Sequence, residues 1–143
     1  MFPVNTKILV VDDSNFARSH LKKGLVHLKY TKILECTNVL EAQKLLQEEE
    51  QIKDPVHLLI TDLFMPDITG IEFIRWVRAQ ERLKGIPVII LTSSQEKTAI
   101  LEAGKLGVSH YMIKPFDNAT LRDKLSSAWL KHGQKYVEGL KVL

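Results

Sequence analysis

The stretch Leu58-Leu59-Ile60-Thr61-Asp62-Leu63-Phe64-Met65-Pro66-Asp67-Ile68-Thr69-Gly70 decides how the rest of the chain is read. Its apolar opening shows no polar alternation, the pattern of a parallel strand buried on both faces. Asp62 then falls at the strand's carboxyl end, where open α/β sheets bind their ligands. Met65-Pro66 and Gly70 read as a tight loop, with proline fixing φ and glycine free to take positive φ. A carboxylate held at a strand tip by a rigid loop is a candidate nucleophile or metal ligand. From this segment alone, Asp62 could equally be a cap for the helix beyond the loop.

The whole chain bounds the answer. At 143 residues it is long enough for one domain with a sizeable core, and 45% of it is hydrophobic, an ordinary globular fraction. The net charge of +3 is small and its lysines and arginines are spread along the sequence, which does not point to nucleic acid. The single cysteine, Cys36, excludes an internal disulfide and a cysteine-cluster metal site. Its place in an expected strand makes it a small buried hydrophobe. No apolar run approaches membrane-spanning length, and Asp12 and Asp13 arrive too early for a signal peptide. A cytoplasmic protein is the expectation.

Working outward, strand and helix patterns alternate five times. Strands are expected at Lys7–Asp12, Lys32–Cys36, His57–Asp62, Val88–Leu91 and His110–Lys114. The first helix opens after Ser14 with Phe16, Leu21, Leu25 and Leu28 on its buried face and Gly24 allowing a close approach. Val39, Ala42, Leu45 and Leu46 mark the second helix, which gives way to a polar loop over Glu48–Asp54. Ile74 and Val77 anchor the third. The fourth, opened by a capping pattern at Ser93–Glu96, is weakly amphipathic, with only Ala99, Ala103 and Leu106 facing inward. Leu121, Leu125, Ala128 and Trp129 mark the fifth, closing near Gly133.

Such alternation argues a three-layer α/β/α, doubly wound, five-stranded parallel sheet with right-handed crossovers. The first, third and fourth strands are apolar throughout and belong in the centre; the second and fifth are mixed and belong at the edges. The order 2-1-3-4-5, that of flavodoxin-like folds, satisfies this. Residues 1–133 form the expected domain, and 134–143 a helical extension or tail.

In a parallel sheet all strand carboxyl ends share one rim. Asp12 and Asp13, Asp62, Thr92 and Lys114 then meet there. Three carboxylates that close repel one another, and a divalent cation resolves the conflict. Mg²⁺ suits hard oxygen ligands. A cation flanked by a lysine and a hydroxyl makes a site for a phosphoryl group.

These motifs resemble the receiver domains of two-component response regulators, most of all the single-domain chemotaxis members. The matching residues are Val10-Val11-Asp12-Asp13, Asp62-x-x-Met65-Pro66-x-x-x-Gly70, Thr92, Tyr111 and Lys114-Pro115-Phe116, and the likeness runs over about residues 6–133. The resemblance implies that Asp62 accepts the phosphoryl group. It implies that Asp13, Asp62 and the Phe64 carbonyl bind Mg²⁺, with Asp12 acting through a metal-bound water. Lys114 would pair with a phosphoryl oxygen, Thr92 would report its presence, and Tyr111 would be the rotamer-switching aromatic. A cis bond before Pro115 would aim Lys114 into the site. The expected partners are a sensor histidine kinase or phosphotransfer protein and a downstream protein on the face of the fourth helix, fifth strand and fifth helix. A monomer or weak dimer is expected, with no membrane and no direct nucleic-acid contact. The only chemistry implied is Mg²⁺-dependent self-phosphorylation and self-dephosphorylation.

The chain departs from the family at Thr69, where aspartate is frequent, and in its longer Glu48–Asp54 loop. Phe64 and Ser94, two residues past Asp62 and Thr92, are expected at the pocket mouth. Neither orients water as an asparagine or glutamate can, which implies slow loss of an acyl phosphate. Three other readings remain. The chain could be the receiver of a larger regulator whose output domain lies elsewhere. It could be a flavin or nucleotide binder, although Asp12-Asp13-Ser14-Asn15 puts negative charge where a phosphate needs donors. An aspartyl phosphatase would want an acid-base carboxylate beside the nucleophile and a capping insertion, neither of which is evident.

Overall fold

The computed structural model describes residues 1–48, 50–93 and 97–141. Five strands, β1 (Ile8–Val11), β2 (Ile33–Cys36), β3 (Leu58–Thr61), β4 (Val88–Thr92) and β5 (His110–Ile113), form one parallel sheet in the order β2-β1-β3-β4-β5. Five helices connect and cover them: α1 (Asn15–His27), α2 (Val39–Gln47), α3 (Gly70–Ala79), α4 (Lys97–Lys105) and α5 (Asn118–Ala128). The polar loop before β3 contains one helical turn, Glu50–Lys53, whose Gln51 side chain turns inward and accepts the Val56 amide at 3.0 Å.

The strand period of two divides the core between the sheet's faces. Leu9, Val11, Leu59 and Ile90 face α2 and α3, packing with Ala42, Leu46, Phe73, Ile74 and Val77. Ile8, Val10, Leu58, Ile60, Ile89 and Leu91 face α1 and α5, packing with Leu21, Leu25, Leu121, Leu125 and Ala128. The central strands are buried at every position, as a strand covered by helices on both sides must be. α4 is the loosest cover, with Ala103 its one fully buried residue. Its expected capping pattern lies partly on residues 94–96, outside the described residues. Gly24 earns its place by proximity: a Cβ there would sit 2.8 Å from Leu121 Cδ2, so α1 and α5 touch at this point. Cys36 is buried, and burial, reinforced by Glu41 and opposed by Arg18, pushes its thiol up to about 11.

One expectation fails. Phe16 does not join the core; it is 83% exposed and stacks on His20. The buried residues Leu21, Gly24 and Leu25 put Ala17 in phase, and Phe16 lies one residue, about 100° of helix rotation, off that stripe. Of the two expected readings of 134–143, a helical extension or a tail, the extension forms, and the helix does not stop at Gly133. The chain continues through a π-helical turn (Trp129–Gly133) into α6 (Gln134–Lys141). Gly133 serves a contact rather than a stop, since a Cβ there would lie 2.6 Å from the Phe2 ring.

Candidate functional site

The parallel sheet delivers β1, β3 and β5 to one rim, and their terminal side chains converge. Lys114 Nζ donates to Asp12 Oδ2 at 2.6 Å and to Asp62 Oδ2 at 3.1 Å. The second oxygen of each carboxylate is held by backbone. Asp12 Oδ1 accepts the Ser14 amide at 2.9 Å; Asp62 Oδ1 accepts the amides of Leu63 at 2.7 Å and Phe64 at 3.2 Å. Both carboxylates are buried, whereas Asp13 is exposed, and carboxylate oxygens of all three lie within 4.8 Å of one another. Burial works against the Lys114 ammonium, but its hydrogen bond to Asp12 and the charges of Asp62 and Asp12 outweigh it and raise its pKa.

Asp62 does not cap α3. Thr69 does, accepting the Glu72 amide at 3.2 Å. The loop's left-handed residue is Asp67, at φ 69°, and not Gly70. Glycine is needed at 70 for a different reason. A Cβ there would fall 2.1 Å from the Asp62 carbonyl oxygen and 2.6 Å from Leu63 Cα, both backbone atoms that cannot step aside. The start of α3 is therefore laid directly on the peptide that carries Asp62.

The other expected residues fall around this centre. Thr92 is buried at the end of β4, and its carbonyl accepts the Lys114 amide at 2.9 Å. The Lys114–Pro115 peptide bond is cis. Tyr111 is 40% exposed, with Lys124 Nζ 5.5 Å from its ring centroid, so the ring faces outward between β5 and α5. Phe64 is exposed at the rim. Ser94 lies outside the described residues.

One participant was missed. Arg18, on the half-buried side of α1, donates through Nη1 to the Asp12 carbonyl at 2.6 Å, through Nη2 to Asn15 Oδ1, and approaches Glu35 Oε1 at 3.6 Å. Its spacing of one helical turn from Ser14 was legible; its target, a backbone carbonyl, was not.

The Lys114 ammonium pairs with Asp12 and Asp62, and Asp13 has no ion pair among the described residues, so three carboxylates face one ammonium. All the donors are hard oxygens, and the third carboxylate is open to solvent. That set fits Mg²⁺ and would suit no soft metal.

The sequence matches the family model for the response regulator receiver domain over residues 8–126. Its curated relatives include a chemotaxis protein CheY homolog of Campylobacter jejuni, 38% identical over 119 residues that make up 83% of this chain and 88% of the relative. CheY1 of Helicobacter pylori is 39% identical, across 83% of this chain and 93% of that protein. Among solved structures, the chemotaxis response regulator CheY4 of Vibrio cholerae superimposes with a TM-score of 0.75 at 28% identity, covering 87% of this chain and 98% of that one. The signal receiver domain of a histidine kinase from Syntrophus aciditrophicus gives a TM-score of 0.71 at 27% identity, covering 86% and 89%. An acidic rim of this build, on this sheet, in a chain with these relatives has one reading: the protein belongs to the response regulator receiver family, with the CheY-like fold of two-component signalling.

Proposed function

We propose that the chain is a phosphorylation-controlled switch whose acceptor is Asp62. The observation that carries this is the place of Asp62 at the end of the central strand β3, between Asp12 beyond β1 and Thr92 on β4, with its Oδ2 on the Lys114 ammonium. Two backbone amides hold Oδ1, and among the described residues Oδ2 meets only the Lys114 ammonium, which can leave it for a phosphoryl oxygen. Oδ2 attacks phosphorus, the donor's P–N or P–O bond breaks, and the leaving group takes the electron pair. Asp13, Asp62 and the Phe64 carbonyl would hold Mg²⁺, with Asp12 in support. Bound there, the ion would neutralise charge on the transferring group. Lys114 then pairs with one phosphoryl oxygen and the Thr92 hydroxyl with another. The donor is a sensor histidine kinase, a phosphotransfer protein or a small phosphodonor, because the pocket itself supplies positioning and charge.

The output follows from Thr92. When it moves toward the phosphoryl group, Tyr111 can turn inward, leaving Lys124 and reshaping the face made by α4, β5 and α5. α4 buries little, so shifting it costs little. This is a population shift, and the phosphoryl group must favour the active state by a few kcal/mol to switch it well. A downstream protein reads that face. Residues 1–133 act as the receiver, with α6 as its extension. Among the described residues no helix is long and apolar enough to cross a membrane.

The test is to incubate the protein with acetyl phosphate and read its intact mass. The parent should gain one phosphoryl group only with Mg²⁺, and Asp62→Asn should gain none; equal gain by Asp62→Asn would refute the assignment. Following the decay extends the test. Phe64 cannot orient an attacking water. Phe64→Asn should shed the group several-fold faster, as the loss of label reports.

A further inference from the structure

We propose that Arg18 is a positioning residue for the metal pocket, acting by holding the Asp12–Asp13 peptide; this rests on the reading of the pocket as a Mg²⁺ site. The starting point is Asp13. Asp12 and Asp62 have their carboxylates fixed by Lys114 and by backbone amides, but the exposed Asp13 carboxylate accepts no hydrogen bond among the described residues. With no such anchor, the direction in which its Cα–Cβ bond leaves the chain is set by the backbone. The peptide group that sets that direction is the one joining Asp12 to Asp13, and its carbonyl oxygen is the Asp12 oxygen that Arg18 Nη1 grips at 2.6 Å. The amide of Asp12 is tied to the Cys36 carbonyl at 3.1 Å, which fixes one end of the turn. Arg18 fixes the other.

The guanidinium suits this task through its shape. Its fork spans three elements: the turn through the Asp12 carbonyl, the start of α1 through Asn15 Oδ1, and β2 through Glu35. Its side chain is 11% exposed, so the grip is shielded from water. Lysine could satisfy one of these partners but not all three. An ordinary structural role, pinning α1 to β2, would need only the Glu35 contact. That contact is the longest of the three, at 3.6 Å.

Charge and position predict opposite signs, which makes the proposal decidable. Arg18 places a cation next to a site that takes a cation. By charge alone, removing it should tighten Mg²⁺ binding. If Arg18 positions Asp13, removing it should weaken binding, by about tenfold, as loss of supporting contacts does at other metal sites.

The experiment titrates Mg²⁺ into metal-free protein by calorimetry for the parent, Arg18→Met, Arg18→Lys and Asp13→Ala, with thermal unfolding and backbone NMR of the metal-free state alongside. Arg18→Met should bind Mg²⁺ about tenfold more weakly and shift the Asp13 amide resonance before any metal is added. Arg18→Lys keeps the charge but loses the fork, and should bind roughly threefold more weakly. Parent-like or tighter binding by folded Arg18→Met would overturn the proposal. Should that variant fail to fold, Arg18→Lys decides, and an unchanged affinity there overturns it. If Asp13→Ala binds as well as the parent, the pocket reading itself falls, and the proposal with it. Loss in Asp13→Ala beside full binding in Arg18→Met removes the proposal alone.

Discussion

At the carboxyl ends of the strands, three carboxylates converge and the Lys114 ammonium pairs with two of them. At the opposite end of the sheet, the Arg78 guanidinium donates to four backbone carbonyls: Leu106 at 2.7 Å, Lys84 and Ile86 at 2.8 Å, and Gly107 at 3.1 Å. The first site holds more charge than its own chain can balance. At the second, the hydrogen bonds of the guanidinium come from backbone of its own chain. The C-terminal extension closes it further: Ser109 Oγ and His132 Nδ1 are hydrogen-bonded at 2.8 Å, and the Tyr136 hydroxyl donates to the Arg82 carbonyl at 3.0 Å. Burial pushes the Tyr136 phenol up to about 12, against the pull of Arg78. Burying charge thus serves two ends in one fold. Carboxylates left without enough cations make a receptor; a guanidinium hydrogen-bonded to four carbonyls makes a clasp.

Substitutions should separate the two. The largest effect is expected at the rim from Gly70→Ala. The added methyl meets the Asp62 carbonyl and Leu63 Cα, so either α3 or the acceptor peptide must move. We expect a loss of about 3 kcal/mol in chemical denaturation, together with severely reduced phosphorylation. Full stability and full labelling would show that the rim tolerates displacement, and the contrast with the clasp would lose its basis.

Arg78→Met comes next. It leaves four carbonyls without their donor and should cost roughly 2 kcal/mol by the same measurement. Mg²⁺ affinity should stay at the parent value, because among the described residues no hydrogen bond or ion pair joins the clasp to the rim. A fall in Mg²⁺ affinity as large as the fall in stability would mean that the two ends are coupled.

The smallest effect is a pH slope at the amino end. His57 Nδ1 accepts the Lys7 amide at 2.9 Å, a bond that protonation at that nitrogen would break. Burial lowers its pKa, Asp54 pulls the other way, and Lys32 and Lys7 add to the lowering. A histidine with a folded pKa below its unfolded value contributes stability above about pH 6.5, lost as pH falls through the folded value. His110 and His132 are shifted in the same direction, in each case chiefly by burial. His57→Asn keeps an acceptor near the Nδ1 position without titrating. Its melting temperature should fall less steeply than the parent's between pH 7 and pH 5. Parallel slopes would assign the acid sensitivity to the other two histidines.

The contrast also explains what could be read before the structure. The sheet order was legible because burial on two faces leaves a strand no polar position, as Leu58–Ile60 and Val88–Leu91 show. The rim was legible because the contacts that join its strands, Lys114 to Asp12 and to Asp62, run from side chain to side chain, and side chains are what a sequence spells out. Arg18 and Arg78 were not, since each holds backbone carbonyls that any residue can supply. Phe16 was misplaced by one residue of helical phase, a distinction the buried stripe at Leu21 and Leu25 resolves only once the whole helix is seen. Gly70 and Gly133 were read as a turn and a stop, yet both answer to neighbours distant in the chain or in backbone, not to their own torsions.

One measurement reaches the centre of this account. Beryllofluoride, a phosphoryl mimic, would be added with Mg²⁺ to isotopically labelled protein, and backbone resonances compared with and without it. Large shifts are expected at Asp13, Asp62, Thr92 and Lys114, spreading through α4, β5 and α5 to Tyr111, while Arg78, Arg82 and Tyr136 at the clasp stay near their original positions. Shifts confined to the clasp, or an unchanged spectrum at Asp62 and Lys114 with both ions in excess, would contradict it.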